Sequence, residues 1–281
     1  MLQISDARID ELIAEDVPYV DLTTEVMGIG DRQGTMRYFT REGRVVAGTP
    51  YAARVAQRLG CAVSWAEAPG ARVDAGAELL VVRGSAECLH KAWKVGLNLL
   101  DHLSAVATKT RAMVDEAHAG NPRCEIMTTR KSMPGAKDLL MHAVMAGGAW
   151  PHRLGLSETI LVFENHTAFC GGFEGFLEML DSMRSRCVEK KLFVEANAEQ
   201  AMELARRGVD GIQLDKVPVG ELSDLVRELR AIDPRVTLVA SGGIDPSNAR
   251  AYAATGVDAL ATTAPYNAKP VDMSARMTAG R

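Results

Sequence analysis

From Cys124 onward the chain alternates short apolar runs with stretches of helical spacing. The runs are Glu125–Thr129, Thr159–Phe163, Leu192–Ala196, Gly211–Asp215, Thr237–Ser241 and Ala259–Thr263. Between them, Phe173, Phe176, Leu177 and Leu180 make one apolar stripe, and Leu222, Leu225, Val226 and Leu229 make another. Residues three and four apart share a helix face, so these stripes predict amphipathic helices. Gly147, Gly208 and Gly256 stand where helices end. Strands separated by helices are joined by crossovers, which predicts a parallel sheet. The runs are apolar on both faces, as in strands covered on both sides.

The first hundred residues are less regular. Ser5 is placed to cap a helix with Ile9, Leu12 and Ile13 on one face. Strands are predicted over Gly34–Thr40 and Arg44–Ala47, and a helix over Ala52–Leu59. Glycine turns around strands follow in 69–84, then a long helical pattern from Ala86 to about Ala117. The expected organisation is an N-terminal α/β (α+β) domain, 1–113, that includes the long helix. An α/β barrel over 114–265 follows, then a tail, 266–281, that could return to the first domain.

Nearly every predicted strand of the second half ends in polar residues. These are Thr128-Thr129-Arg130-Lys131, Glu164-Asn165-His166, Glu195, Asp215-Lys216, Ser241-Gly242-Gly243 and Thr262-Thr263. In a β/α barrel such ends converge on one face, which carries the site. In an open doubly wound sheet they would serve a single crevice. Polar endings on six strands favour the barrel.

Within that face, Ser241-Gly242-Gly243 is a phosphate-site candidate, because two glycines let backbone N–H groups approach an anion. A plain tight turn is the other reading of a Gly-Gly pair. Arg130-Lys131 at a strand end, and His152-Arg153 after the Gly147-Gly148 break and just before a strand, gather cations at one rim, suited to a small carboxylate or phosphate. Glu195 and Asp215 end neighbouring strands and could hold ribose hydroxyls or a divalent ion. Structural acids balancing Lys216 and Arg130 are the alternative. Glu158, His166 and Asp210 stay open between structure and function.

Composition narrows the class. The 281 residues are 47% hydrophobic and 24% charged, with a net charge of −4. A chain so near neutral has no general pull on nucleic acid or anionic membranes. Aromatics at 5% argue against a stacking platform for single strands. The five cysteines form no CxxC pair and are odd in number, which fits neither a zinc site nor a disulfide scaffold. A reducing compartment, no signal peptide, no membrane insertion and a cytoplasmic location are the expectations.

Several motifs are similar to those of one enzyme family. Asp21-Leu22-Thr23-Thr24 resembles the opening motif of the quinolinate phosphoribosyltransferase (nicotinate-nucleotide pyrophosphorylase) family. Residues 97–108, beginning Leu97-Asn98-Leu99-Leu100-Asp101-His102, resemble its interdomain helix. Thr129-Arg130-Lys131-Ser132-Met133-Pro134-Gly135, His152-Arg153-Leu154-Gly155-Leu156-Ser157 and Ser241-Gly242-Gly243-Ile244 extend the likeness over essentially the whole chain. The run Ser157–His166 is similar to the ModD branch, pyrophosphorylases associated with molybdenum transport.

The resemblance implies an incomplete α/β barrel behind the N-terminal domain, and a homodimer or higher assembly with sites shared between subunits. It implies pentosyl transfer from phosphoribosyl pyrophosphate, with Mg2+, to a ring nitrogen of a small anion. Lys94, Arg130, His152, Arg153 and Phe163 would then line the acceptor pocket. Lys131, Glu195, Asp215, Ser241, Gly242 and Gly243, with Thr262 or Thr263 after the last strand, would hold the donor. Glu195 and Asp215 would hold its metal. Quinolinate enzymes carry arginine where this chain has Lys94 and lysine where it has Phe163. The expected acceptor is therefore anionic, heterocyclic and other than quinolinate. Quinolinate itself, and a non-enzymatic phosphate-ligand-binding protein linked to molybdate handling, are the alternatives.

Overall fold

A computed structural model describes residues 4–280. In chain order the elements are α1 (Asp6–Asp16), α2 (Leu22–Met27), β1 (Gln33–Thr40), β2 (Arg44–Val45), α3 (Thr49–Arg58), β3 (Ala62–Ala66), β4 (Arg72–Val73), β5 (Glu78–Ser85) and α4 (Ala86–Gly120). There follow β6 (Glu125–Thr128), α5 (Lys137–Ala146), β7 (Trp150–Pro151), β8 (Ile160–Val162), α6 (Glu164–Thr167), α7 (Gly172–Arg186), β9 (Leu192–Ala196) and α8 (Ala198–Arg207). The last are β10 (Gly211–Asp215), α9 (Val219–Ile232), β11 (Thr237–Ser241), α10 (Ala249–Ala254), β12 (Ala259–Thr262) and β13 (Met273–Ala279). The chain divides into two units. One comprises 1–111 with 132–148 and 265–281, the other 112–131 with 149–264.

The first unit is built on an antiparallel sheet in the order β13-β1-β5-β3. Tyr38 and Met36 of β1 and Leu80 and Val82 of β5 are buried beneath its helices. Ser5 caps α1 as its position predicts, accepting the Arg8 N–H at 3.2 Å. The C-terminal segment pairs with β1 from Gly34 opposite Ala279 to Thr40 opposite Met273. Residues 132–148 belong to this unit although they lie between two strands of the other. A Cβ on Gly147 would sit 2.4 Å from Thr110 Cβ, so α5 ends directly against α4. Arg8 of α1 also reaches the Gly135 carbonyl at 2.5 Å.

The second unit carries seven parallel strands in the order β7-β6-β12-β11-β10-β9-β8. No ladder joins β7 to β8, so this is the curled half-barrel of an α/β fold rather than a closed barrel. Strand residues two apart share a face. Leu161, Phe193, Val239, Ala259 and Ala261 form one buried cluster, with Met127 and Phe163 packed on it. Gly211 is needed beneath this layer. A Cβ there would meet the Phe193 ring at 2.1 Å. Of the helical stripes, Phe176, Leu177, Leu180, Leu222, Leu225, Val226 and Leu229 are buried, while Phe173, in the first turn of α7, is only half-buried.

Candidate active site

Period-two alternation carries the inner apolar face toward the C-terminal ends of the strands. Phe193 is followed by Glu195, Gly211 by Gln213 and Asp215, and Val239 by Ser241, each on the same face. The apolar layer thus supports a polar one above it.

Ser241 donates its hydroxyl to Asp215 Oδ1 at 3.0 Å. Gln213, buried one step below Asp215, donates from Nε2 to Glu195 Oε2 at 2.6 Å. Lys216 Nζ lies 3.2 Å from Asp215 Oδ2. Burial first, and the Asp215 carboxylate second, push Glu195 above the ordinary carboxylate range. The Gln213 amide and the Lys216 and Lys131 ammoniums pull it back. A carboxyl raised by burial and by a neighbouring acid, with lysines around it, makes a place for a cation that arrives with anionic oxygens of its own.

The turn after β11 wraps around these acids. Gly242 and Gly243 both have positive φ, 93° and 71°. A Cβ on Gly242 would strike Lys216 Cγ at 2.5 Å, whereas Gly243 faces open space. Asn248 holds the turn by donating to the Gly243 carbonyl at 3.0 Å.

A second group of side chains lies at the β7–β8 side. His152 packs edge-on against Phe193, ring centroids 5.9 Å apart. Both of its ring nitrogens are buried without a hydrogen-bond partner among the described residues. Burial, aided by Arg153, holds the imidazole below its ordinary value, so it is neutral near pH 7. Burial and the nearby Arg130 lower the Arg153 guanidinium, which still remains charged. Arg153 lies 6.0 Å over the Phe163 ring and donates to the Thr159 carbonyl at 3.4 Å. An orphaned imidazole beside the Arg153 guanidinium, which itself feels Arg130, is arranged to receive an anion.

The structure also sorts the expected residues. Lys94 belongs to the first unit, where its ammonium lies 5.1 Å over the Trp93 ring. Thr262 donates its hydroxyl to the Ile244 carbonyl at 2.6 Å and accepts the Ala264 N–H at 2.9 Å. That hydroxyl is spent on the backbone, while Thr263 stands at the inward register of the same strand end. Asp210 accepts the Leu192 N–H at 2.7 Å, a strand-start role. Glu158 accepts the Leu154 N–H at 2.5 Å. Two residues carry more than their sequence context suggested. Gln213 could have been noticed as a lone amide in a buried strand, two residues before a strand-end acid. His166 accepts the Phe163 N–H on Nδ1, a contact no pattern encodes.

Comparison with known proteins identifies the chain by sequence and fold. The family profile "Quinolinate phosphoribosyl transferase, N-terminal domain" matches residues 21–104, and that of the C-terminal domain matches 106–276. The chain is 33% identical over 274 residues to a protein of Escherichia coli O127:H6 described as "Putative pyrophosphorylase ModD", covering 97% of this chain and 96% of that one. It is 36% identical over 258 residues to the nicotinate-nucleotide pyrophosphorylase [carboxylating] of Mycobacterium leprae, covering 89% and 88%. The crystal structure of NadC from Streptococcus pyogenes superposes with a TM-score of 0.88 at 26% identity, covering all of both chains. Two family profiles that together span the chain, and whole-length relatives in two branches, place it: the chain belongs to the quinolinate phosphoribosyl transferase family and is a pentosyltransferase of the phosphoribosyl-transferring type.

Proposed function

We propose that this protein transfers phosphoribosyl from phosphoribosyl pyrophosphate to an anionic heterocycle less charged than quinolinate. The observation that carries this reading is Phe163. Its ring packs on the inner apolar cluster, under the Arg153 guanidinium. The family resemblance puts a lysine at this position in quinolinate enzymes. An apolar ring there removes one charge-assisted contact, worth roughly 1.5–3 kcal/mol, from a dianion. Arg130, Arg153 and the neutral His152 suffice for one carboxylate.

In this reading Lys131, Glu195, Asp215, Ser241, Gly242, Gly243 and Thr263 hold the donor. The acceptor's ring nitrogen attacks the anomeric carbon. The bond from that carbon to the pyrophosphate oxygen breaks, and pyrophosphate leaves with the electron pair. Among the described residues no cluster of three or more metal-ligating side chains occurs. Two carboxylates plus donor oxygens is the pattern expected for magnesium. Glu195 and Asp215 would hold it with the donor, and such an ion would supply neutralisation of the leaving charge. The same reading expects a homodimer, with Lys94 serving the acceptor site of a second copy.

Quinolinate itself is the second reading, favoured by the retained cations Arg130 and Arg153 and by the carboxylating relatives. Pyrophosphate release across a panel of heterocyclic mono- and dicarboxylic acids separates the two. A monoanion should be the best acceptor. Quinolinate as the best acceptor would overturn the first reading.

A further inference from the structure

Lys216 is, among the described residues, the one non-glycine held at positive φ, 57°. The Cβ of an L-residue disfavours this left-handed region, so a lysine here is retained for something other than backbone comfort. Three contacts hold it in place. Its N–H donates to the Ser241 carbonyl at 2.7 Å. Its ammonium sits 3.2 Å from Asp215 Oδ2. Its stem runs through the space that a side chain on Gly242 would fill. The side chain as a whole is 79% exposed, so the ammonium can leave Asp215 without unpacking the core.

We propose that Lys216 is a further donor-binding residue, whose ammonium neutralises Asp215 in the free protein and moves to the donor's phosphate oxygens when donor and metal arrive. The two Asp215 oxygens are occupied by Ser241 and Lys216 in the free site. Asp215, were it to hold a divalent ion, would release the ammonium on electrostatic grounds. The displaced ammonium then stands beside the Ser241-Gly242-Gly243 turn, where an anion is the natural counter-charge. The left-handed backbone is what aims the stem across Gly242 instead of outward.

This inference rests on the donor assignment proposed above. The test is calorimetric titration of phosphoribosyl pyrophosphate with Mg2+ into the full protein and into Lys216→Met, Lys216→Gly and Lys216→Arg, with Tm read for each. Lys216→Met should weaken donor binding about tenfold with Tm little changed. Lys216→Gly should weaken binding as much while raising Tm, because glycine relieves the left-handed backbone. Lys216→Arg should stay within about threefold of the parent, because it keeps the charge. Parent-like binding by Lys216→Met or Lys216→Gly overturns the proposal, as does an arginine variant as weak as methionine. No binding by the parent protein overturns the donor assignment itself, and this inference with it.

Discussion

The rings of Phe163 and His166 are stacked, with centroids 5.8 Å apart and planes 23° from parallel, while the Phe163 N–H donates to His166 Nδ1 at 3.0 Å. That bond leaves the proton of the neutral imidazole on Nε2. Phe163 is therefore held by two neighbours, the His166 ring and the Arg153 guanidinium at 6.0 Å.

The grip makes Phe163 the residue to change for acceptor preference. Phe163→Lys should raise turnover of quinolinate relative to a monocarboxylate by about tenfold or more, the equivalent of one charge-assisted contact. Steady-state kcat/KM on both acids checks it. A lysine variant no better on quinolinate than the parent would show that this wall does not face the acceptor.

His152 gives the protein an acid-side dependence. Its folded value lies below the ordinary one near 6.5, because burial and Arg153 oppose its charge. As pH falls through about 6.5 the unfolded chain takes up the proton before the folded one. The contribution is thus complete above that pH and is lost as pH falls from there through the folded value. Tm measured from pH 8 to 5 should show a shallower decline in His152→Gln than in the parent. Parallel curves would contradict the assignment.

Glu195 presents the opposite compromise. Its carboxyl is raised, chiefly by burial and then by Asp215, so its charge at neutral pH opposes folding. Below the ordinary carboxylate value both states hold the proton and the penalty is absent; it grows as pH rises through the folded value. Glu195→Gln should therefore raise Tm of the ligand-free protein. The same change should weaken binding of donor and Mg2+. Thermal melts with and without donor separate the two effects, and a lower ligand-free Tm would count against the electrostatic account.

The two glycines after β11 should differ. Both have positive φ, so alanine at either meets a conformational penalty of roughly 1–2 kcal/mol. Only at Gly242 does the new Cβ also strike Lys216, 2.5 Å from Cγ and 2.9 Å from the backbone N. Gly242→Ala should lose clearly more stability than Gly243→Ala in urea unfolding. Equal losses would mean that the Lys216 stem yields freely.

Local pattern was enough to locate most of the second unit. Leu192–Ala196, Gly211–Asp215 and Thr237–Ser241 are strands with the bounds their apolar runs imply. Their polar ends mark the candidate site because residues leaving a buried strand stay polar where water or ligand meets them. The two-residue strand Trp150–Pro151 was not legible, being too short to carry a period. What the tertiary structure decided are directions and partners. Alternation allowed Phe163 to face either way; packing on Phe193 and its neighbours turns it inward. Thr262 and Thr263 were equivalent in sequence until Ile244 and Ala264 engaged the first. The Gln213 amide gained meaning only when parallel pairing set it opposite Glu195. Segment 132–148 joins the first unit through contacts with Thr110 and Arg8. Each of these depends on residues far apart in the chain, and local periodicity carries no information about which of them meet.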